Sequence, residues 1–345
     1  MNPKETTMTS MQTLSNVKLG LVPTHLKFIG GLVPDEQGKF PRNPQGQILM
    51  VDNLQRIRQA CSMPFDSVQI PYFAGTPAAE VDELVAGLRQ LGLEVYFILM
   101  VGGADPMNPD DTDRVVEILV EGLRTADRLK INTVASTSIE EWMQPGAVSK
   151  EGEELEAAIK QNVKVHLKAL HQSEAQGINS WHIEFLRWGE FQTFTNIARC
   201  WRFVSATNQV LGDNFFKVLV DAAHCGDSGL NFSENEDLIQ RIAKAGELGM
   251  FHASAKTTRG CLSSDDGWVP ALLTACASTG CLQSVFVEVF HHEDPALEGL
   301  RQLDPRHGID TRLGRTYDQL VVDGLDDVGR RLNNLAQRGI LPGKN

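Results

Sequence analysis

Eight short apolar runs, each followed by an amphipathic stretch, recur along this chain at intervals of roughly forty residues. Strands are predicted near Val17–Leu26, Ser67–Phe73, Glu94–Val101, Asn132–Ser136, Ser180–Leu186, Phe216–Asp221, Met250–Ser254 and Ser284–Phe290. Helices are predicted over Asn53–Cys61, Pro77–Leu91, Asp110–Leu129, Gly152–Gln176, Thr193–Thr207, Glu234–Leu248, Val269–Thr279 and Leu325–Arg338. Boundary residues support the pattern. Thr76 and Asn108 put a capping oxygen ahead of Pro77 and Pro109, and Ser233 and Glu236 have capping-box spacing. Gly92, Gly177, Gly249, Gly280 and Gly339 fall just past predicted helix ends.

Eight βα units in succession fit one closed (β/α)8, or TIM, barrel of the α/β class better than an open doubly wound sheet. No GxGxxG follows the first run, which argues against dinucleotide binding. The open sheet stays as the alternative, since strand order is not written in a single sequence. The expected organisation is a polar tail over 1–16 and one barrel domain over 17–345. Two connections are long, Phe28–Asp52 and His291–Gly324. In a barrel both extend over the C-terminal face, where loops build the site. The arginines of the second make it a candidate dimer arm, so a homo-oligomer is expected.

Charge and cysteine content narrow the function classes. The formal net charge of −12 makes nucleic acid a poor partner. Six scattered cysteines without a CxxC pair read as reduced thiols. The first fifteen residues lack the apolar core of a secretory signal, and no apolar run has membrane-spanning length. A cytoplasmic protein without a membrane partner is expected.

Four of the apolar runs end alike. The fifth closes on Glu184, the sixth on Asp221, the seventh on His252 and the eighth on Glu288, at intervals of 37, 31 and 36 positions. Each interval is about one βα unit, so the four side chains would converge at a barrel mouth. Singly, a strand-end carboxylate is usually a cap or a surface ion pair, and a strand histidine a bonded core residue. Four in register call for a shared cause. Three carboxylates in a half-buried ring repel one another, and a divalent cation removes that cost. Three oxygens and an imidazole, with no thiolate, suit one Mn²⁺, or else Mg²⁺ or Co²⁺, rather than a structural zinc.

These residues resemble the xylose isomerase-like barrels, and especially the tagatose/psicose 3-epimerase type. Beyond the four ligands, the Glu-x5-Glu segment from Glu184 to Glu190 holds Arg187, and His224 stands three residues after Asp221, as in that branch. Arg259 follows His252 with one more intervening residue than the family pattern has. The match covers about Ser180 to Phe290. It implies a metal-dependent sugar isomerase or epimerase acting on a ketose, aldose or related keto-sugar. Glu184 and Glu288 would be both metal ligands and the acid/base pair on either side of an enediolate. Glu190, His224 and Arg259 would bind substrate, and Arg187 would pair with a carboxylate behind the site.

Further strand-end residues are candidates for substrate contact: His25, Tyr72 and Ser136. His182 is expected deeper in the core, and His166 and His171 on a helix surface. Cys225 reads as a packed loop side chain. Lys256 and Arg259 could take a phosphate, but the acidic stretch His291–Asp294 favours an unphosphorylated sugar or sugar acid. The same site would also serve a lyase, dehydratase or decarboxylase of a keto-sugar or 3-oxo sugar acid. A remote alternative is an apurinic endonuclease-like nuclease. The second and third strands, however, lack the extra histidines a three-zinc site needs, and no Asp-x-His follows His252.

Overall fold

The computed structural model describes residues 11–23, 34–255, 267–289, 298–303 and 316–344. Eight strands alternate with helices. The strands are β1 (Lys18–Val22), β2 (Ser67–Phe73), β3 (Glu94–Met100), β4 (Thr133–Ser136), β5 (Ser180–Glu184), β6 (Phe216–Asp221), β7 (Leu248–Ala253) and β8 (Ser284–Glu288). The helices are α1 (Leu49–Ala60), α2 (Ala78–Gln90), α3 (Thr112–Arg128), α4 (Gly152–Ser173), α5 (Ile197–Leu211), α6 (Ala222–Gly226), α7 (Phe232–Lys244), α8 (Trp268–Ser278), α9 (Glu298–Leu303) and α10 (Tyr317–Gln337). Neighbouring strands pair in parallel in chain order, and β1 closes on β8 with Val22 opposite Glu288. The sheet is a closed barrel, which sets the open alternative aside.

Local chemistry moved several boundaries. Asn196 accepts the Arg199 N–H at 2.9 Å, so α5 starts at Ile197 rather than Thr193. The capping box of α7 is Asn231 with Glu234, not Ser233 with Glu236. Thr316 and Gln319 form another, which starts α10 two turns ahead of the expected Leu325. Thr76 caps nothing; its hydroxyl donates to the Phe73 carbonyl instead. Asn108 does cap, accepting the Asp110 N–H at the 3₁₀ turn Pro109–Asp111 that leads into α3. The short α6 had no sequence counterpart. At the bottom of the barrel, Ser15 bridges to Gly343, which ties residues 11–16 to the end of the chain.

The strands bury both faces, as all-parallel strands must. Outward residues such as Phe97, Val134, Trp181, Ile183, Val220 and Phe251 join the helices in the main core. Inward residues form a second, smaller core of Val22, Tyr96, Ile98, Ala135, Leu219, Met250 and Phe286. Gly20 faces this interior, where a Cβ would come within 2.5 Å of the Phe286 ring. A glycine there lets the large ring fill the barrel centre.

One irregularity decides the orientation of β7. Register slips between Val218 opposite Leu248 and Val220 opposite Phe251. Leu248 belongs to the outer core and Met250, two residues on, to the inner one. Gly249 occupies the bulge, with space for no Cβ against the Val218 carbonyl at 2.7 Å. It therefore sits inside a strand rather than past a helix end. The extra residue reverses the parity of the strand and turns Met250 and His252 into the barrel.

His166 is buried in α4 and not on its surface. Its ring ends a directed chain. Trp181 Nε1–H donates to Ser136 Oγ at 2.8 Å, Ser136 and Ser138 share a bond of 2.7 Å, and Ser138 Oγ meets His166 Nε2 at 2.7 Å. His166 Nδ1 donates to the Asn162 carbonyl at 2.8 Å, completing the run. Burial holds the ring neutral and lowers its pKa to about 4. His171 is exposed, as expected.

Candidate active site

Glu184 ends β5, Asp221 ends β6, His252 lies at the top of β7 and Glu288 ends β8. All four side chains are buried, and one ligand atom from each lies within 4.8 Å of all the others. Their register is staggered: Glu184 pairs with Leu219, Asp221 with His252, and His252 with Phe286. The tilt of barrel strands brings these staggered positions to one height. His252 Nδ1 is 3.5 Å from Glu184 Oε1 and 3.8 Å from Glu288 Oε2.

The floor under this ring is apolar. Leu219, Met250 and Phe286 stand two residues below Asp221, His252 and Glu288 on the same inward face. Below Glu184 lies His182, whose Nδ1 accepts the Met250 N–H at 3.0 Å and whose Nε2 meets Ser180 Oγ at 3.0 Å. Burial lowers the His182 pKa to about 3, so this ring adds no charge. Three buried carboxylates above this floor form a cluster that could hold a cation. The donor set of three carboxylates and one imidazole fits a hard or borderline divalent ion with oxygen-rich coordination.

A polar wall rises beside the ring. Asp221 Oδ1 accepts the backbone N–H of His224 at 2.7 Å, capping α6 and aiming the His224 imidazole back over the site. His224 Nε2 reaches Glu184 Oε1 at 3.4 Å, and its Nδ1 is 4.0 Å from Glu190 Oε2. Arg187 joins the same wall from behind, at 3.0 Å from Asp227 Oδ2 and 3.7 Å from Glu190 Oε2. Cys225, next to His224, is fully buried, and burial pushes its thiol far above the ordinary value.

The loop that carries Glu190 is pinned from the β4 side. Glu140 is buried, and its carboxylate accepts the backbone N–H groups of Gln192, Thr193 and Phe194 at 2.7 to 3.1 Å. Burial nevertheless raises its pKa. Met143 N–H donates to the Glu190 carbonyl at 2.8 Å, and Trp142 Nε1–H to Glu190 Oε1 at 3.4 Å. Trp142 and Trp188 leave much of their rings exposed on this rim.

Other sequence candidates fall elsewhere. Tyr72 points outward to α3, where its hydroxyl donates to Glu121 at 2.8 Å. Ser136 also points outward, into the His166 chain. Both have the wrong strand parity for the mouth, because β2 turns Gln69 inward and β4 turns Ala135 inward. His25, Arg259, Lys256 and His291–Asp294 lie outside the described residues. Sequence reasoning missed Glu140, Trp142, Asp227 and Gln69. Of these only Gln69 left a signal, as a lone amide inside the apolar run of β2.

A profile of the xylose isomerase-like TIM barrel family matches residues 57–305. The chain belongs to that family. Solved structures agree on the fold. An L-ribulose 3-epimerase superposes with a TM-score of 0.68 at 16% identity, over 94% of this chain and 97% of its own. A D-allulose 3-epimerase from Methylomonas sp., in complex with D-allulose, gives 0.67 at 13% identity, over 93% and 99%. A family 2 AP endonuclease from Brucella melitensis gives 0.54 at 16% identity, over 68% and 86%. No curated protein matches the chain by sequence. Among the described residues, no helix is long and apolar enough to cross a membrane.

Proposed function

We propose that this chain is a divalent-metal-dependent isomerase or epimerase of a ketose, aldose or related keto-sugar. The observation that carries the reading is the buried Glu184–Asp221–His252–Glu288 ring at the barrel mouth, with four candidate ligand atoms within 4.8 Å. The epimerases among the structural neighbours support the same substrate class. When bound, a divalent ion, with Mn²⁺ as the first candidate, supplies charge neutralisation and Lewis-acid polarisation of a carbonyl.

The residues divide the remaining work. Asp221 and His252 hold the ion. Glu184 and Glu288, from strands on either side of them, are both ligands and proton carriers. One takes a proton from the substrate carbon and the other returns one to the opposite face. His224, within 4.0 Å of three carboxylates, orients the Glu184 carboxylate and donates to a substrate oxygen. Glu190, held by Trp142 and Arg187, binds a hydroxyl. Arg259 is proposed to bind a substrate oxygen and hold the negative charge that develops on it.

The test uses purified protein with Mn²⁺ and unlabelled ketoses in D₂O. Deuterium incorporation with otherwise retained mass is the expected result. Loss of water or CO₂ would make the enzyme a lyase, dehydratase or decarboxylase on the same site. The nuclease reading asks for several imidazoles, whereas the one candidate metal cluster among the described residues contains a single histidine.

A further inference from the structure

Gln69 lies at the middle of β2, turned into the barrel and fully buried. Its Oε1 is 2.7 Å from His252 Nε2, and its Nε2 is 3.2 Å from Met250 Sδ. A thioether sulfur can only accept, so the amide NH₂ belongs at Met250 and the amide oxygen at the imidazole. That oxygen in turn can only accept. The proton of the His252 ring is therefore on Nε2, and Nδ1 presents its lone pair. Nδ1 is the atom that faces Glu184 Oε1 at 3.5 Å and Glu288 Oε2 at 3.8 Å.

We infer that Gln69 is the positioning residue of the metal centre: it fixes the tautomer and rotation of His252 so that Nδ1 is the ligand nitrogen. The inference rests on the metal reading given above. A carboxylate often fills this place behind a metal-bound histidine. Here three carboxylates already outnumber the charge of a divalent ion, over an apolar floor, and a fourth would add uncompensated charge. The neutral amide supplies the acceptor without it. Met250 completes the device. The bulge at Gly249 that turns His252 inward also sets Met250 beside the amide, so the amide orientation and the ligand share one structural origin.

Mn²⁺ affinity, read from the paramagnetic resonance of free Mn²⁺, tests this on wild type, Gln69→Leu, Gln69→Asn and Gln69→Glu. Leu removes the acceptor and Asn is too short to reach the ring. Each is expected to weaken binding roughly 10- to 100-fold. Gln69→Glu keeps the acceptor, so its Mn²⁺ affinity should not fall, while the added charge should lower its unfolding midpoint in chelator. Unfolding midpoints of the Leu and Asn variants in chelator, which report packing and the lost buried hydrogen bond without the metal, should separate far less than the affinities do. In a Zn²⁺-loaded wild-type sample, long-range ¹H–¹⁵N spectra should place the His252 proton on Nε2. Wild-type affinity in both Leu and Asn variants, or a proton on Nδ1, would overturn the inference while leaving the metal centre standing. A wild-type protein that binds no Mn²⁺ would instead remove the metal reading itself.

Discussion

Asp221 accepts the backbone N–H of His224 at 2.7 Å, so one carboxylate both faces the candidate metal site and aims the adjacent imidazole. The Asp-x-x-His spacing is thus a helix N-cap as well as a pair of candidate site residues. The two duties separate by substitution. Asp221→Asn keeps a capping oxygen and loses the charge, so Mn²⁺ binding should collapse while the chelated protein, relieved of one of three repelling carboxylates, unfolds at or above the wild-type temperature. Asp221→Ala should lose binding and about 1 kcal/mol of stability besides. Calorimetry with and without Mn²⁺ distinguishes them.

Glu184→Gln and Glu288→Gln each keep a ligating oxygen and lose the ability to take a proton. Each should lower turnover by roughly 10²- to 10⁴-fold. Exchange of solvent deuterium into the substrate, measured in single turnovers, shows which face each glutamate serves. Full turnover in both variants would sink the proton-carrier assignment.

Chelation should destabilise the fold, because the three carboxylates then face one another without a cation. Adding Mn²⁺ at 100 times its Kd should restore about 2.7 kcal/mol. Denaturant titrations in chelator and in excess Mn²⁺ measure this directly. An identical midpoint in both would argue against a resident ion.

Arg187 is nine-tenths buried between Glu190 and Asp227. Arg187→Met removes the cation and leaves two carboxylates beside an apolar stem, a change that should cost about 3 kcal/mol in urea unfolding. Because Glu190 is proposed to bind a substrate hydroxyl, KM should rise more than kcat falls. The opposite split would move Arg187 into the chemistry itself.

His166 predicts an acid-labile fold. Burial depresses its pKa to about 4, while the unfolded chain protonates it near the ordinary 6.5. Between those values the unfolded state binds more protons, so stability is full above the upper value and falls as pH drops toward the lower. The loss is on the order of 3 kcal/mol across the window, from about 1.4 kcal/mol per pH unit. Urea unfolding at pH 7 and pH 5 should show it. His166→Gln, which takes no proton, should remove about half of the difference, the rest coming from His182, whose pKa burial lowers to about 3.

The chain's own order of residues determined the eight βα units, the four strand-end ligand candidates and the Asp-x-x-His pair. Each is a local signal: a period, a strand end, a spacing of three. Strand parity was less legible. Tyr72 and Ser136 are strand-end candidates for substrate contact, yet they face the helices. Their orientation follows from pairing across the barrel, which a single strand does not encode. His166 looked like a helix-surface residue until Trp181, Ser136 and Ser138 were brought against it from other elements.

Only the tertiary structure shows how His252 comes to face into the barrel. A regular β7 with Leu248 outward would have sent Met250 outward as well, and His252 with it. The bulge at Gly249 reverses that parity because β6 and β7 pair out of step around it. The same closure sets Gln69, 183 residues away in sequence, at hydrogen-bond distance from His252. Residue types and spacing fixed which groups were available for a metal. Barrel closure fixed which atom of each faces it, since facing is a relation between strands and not a property of any one.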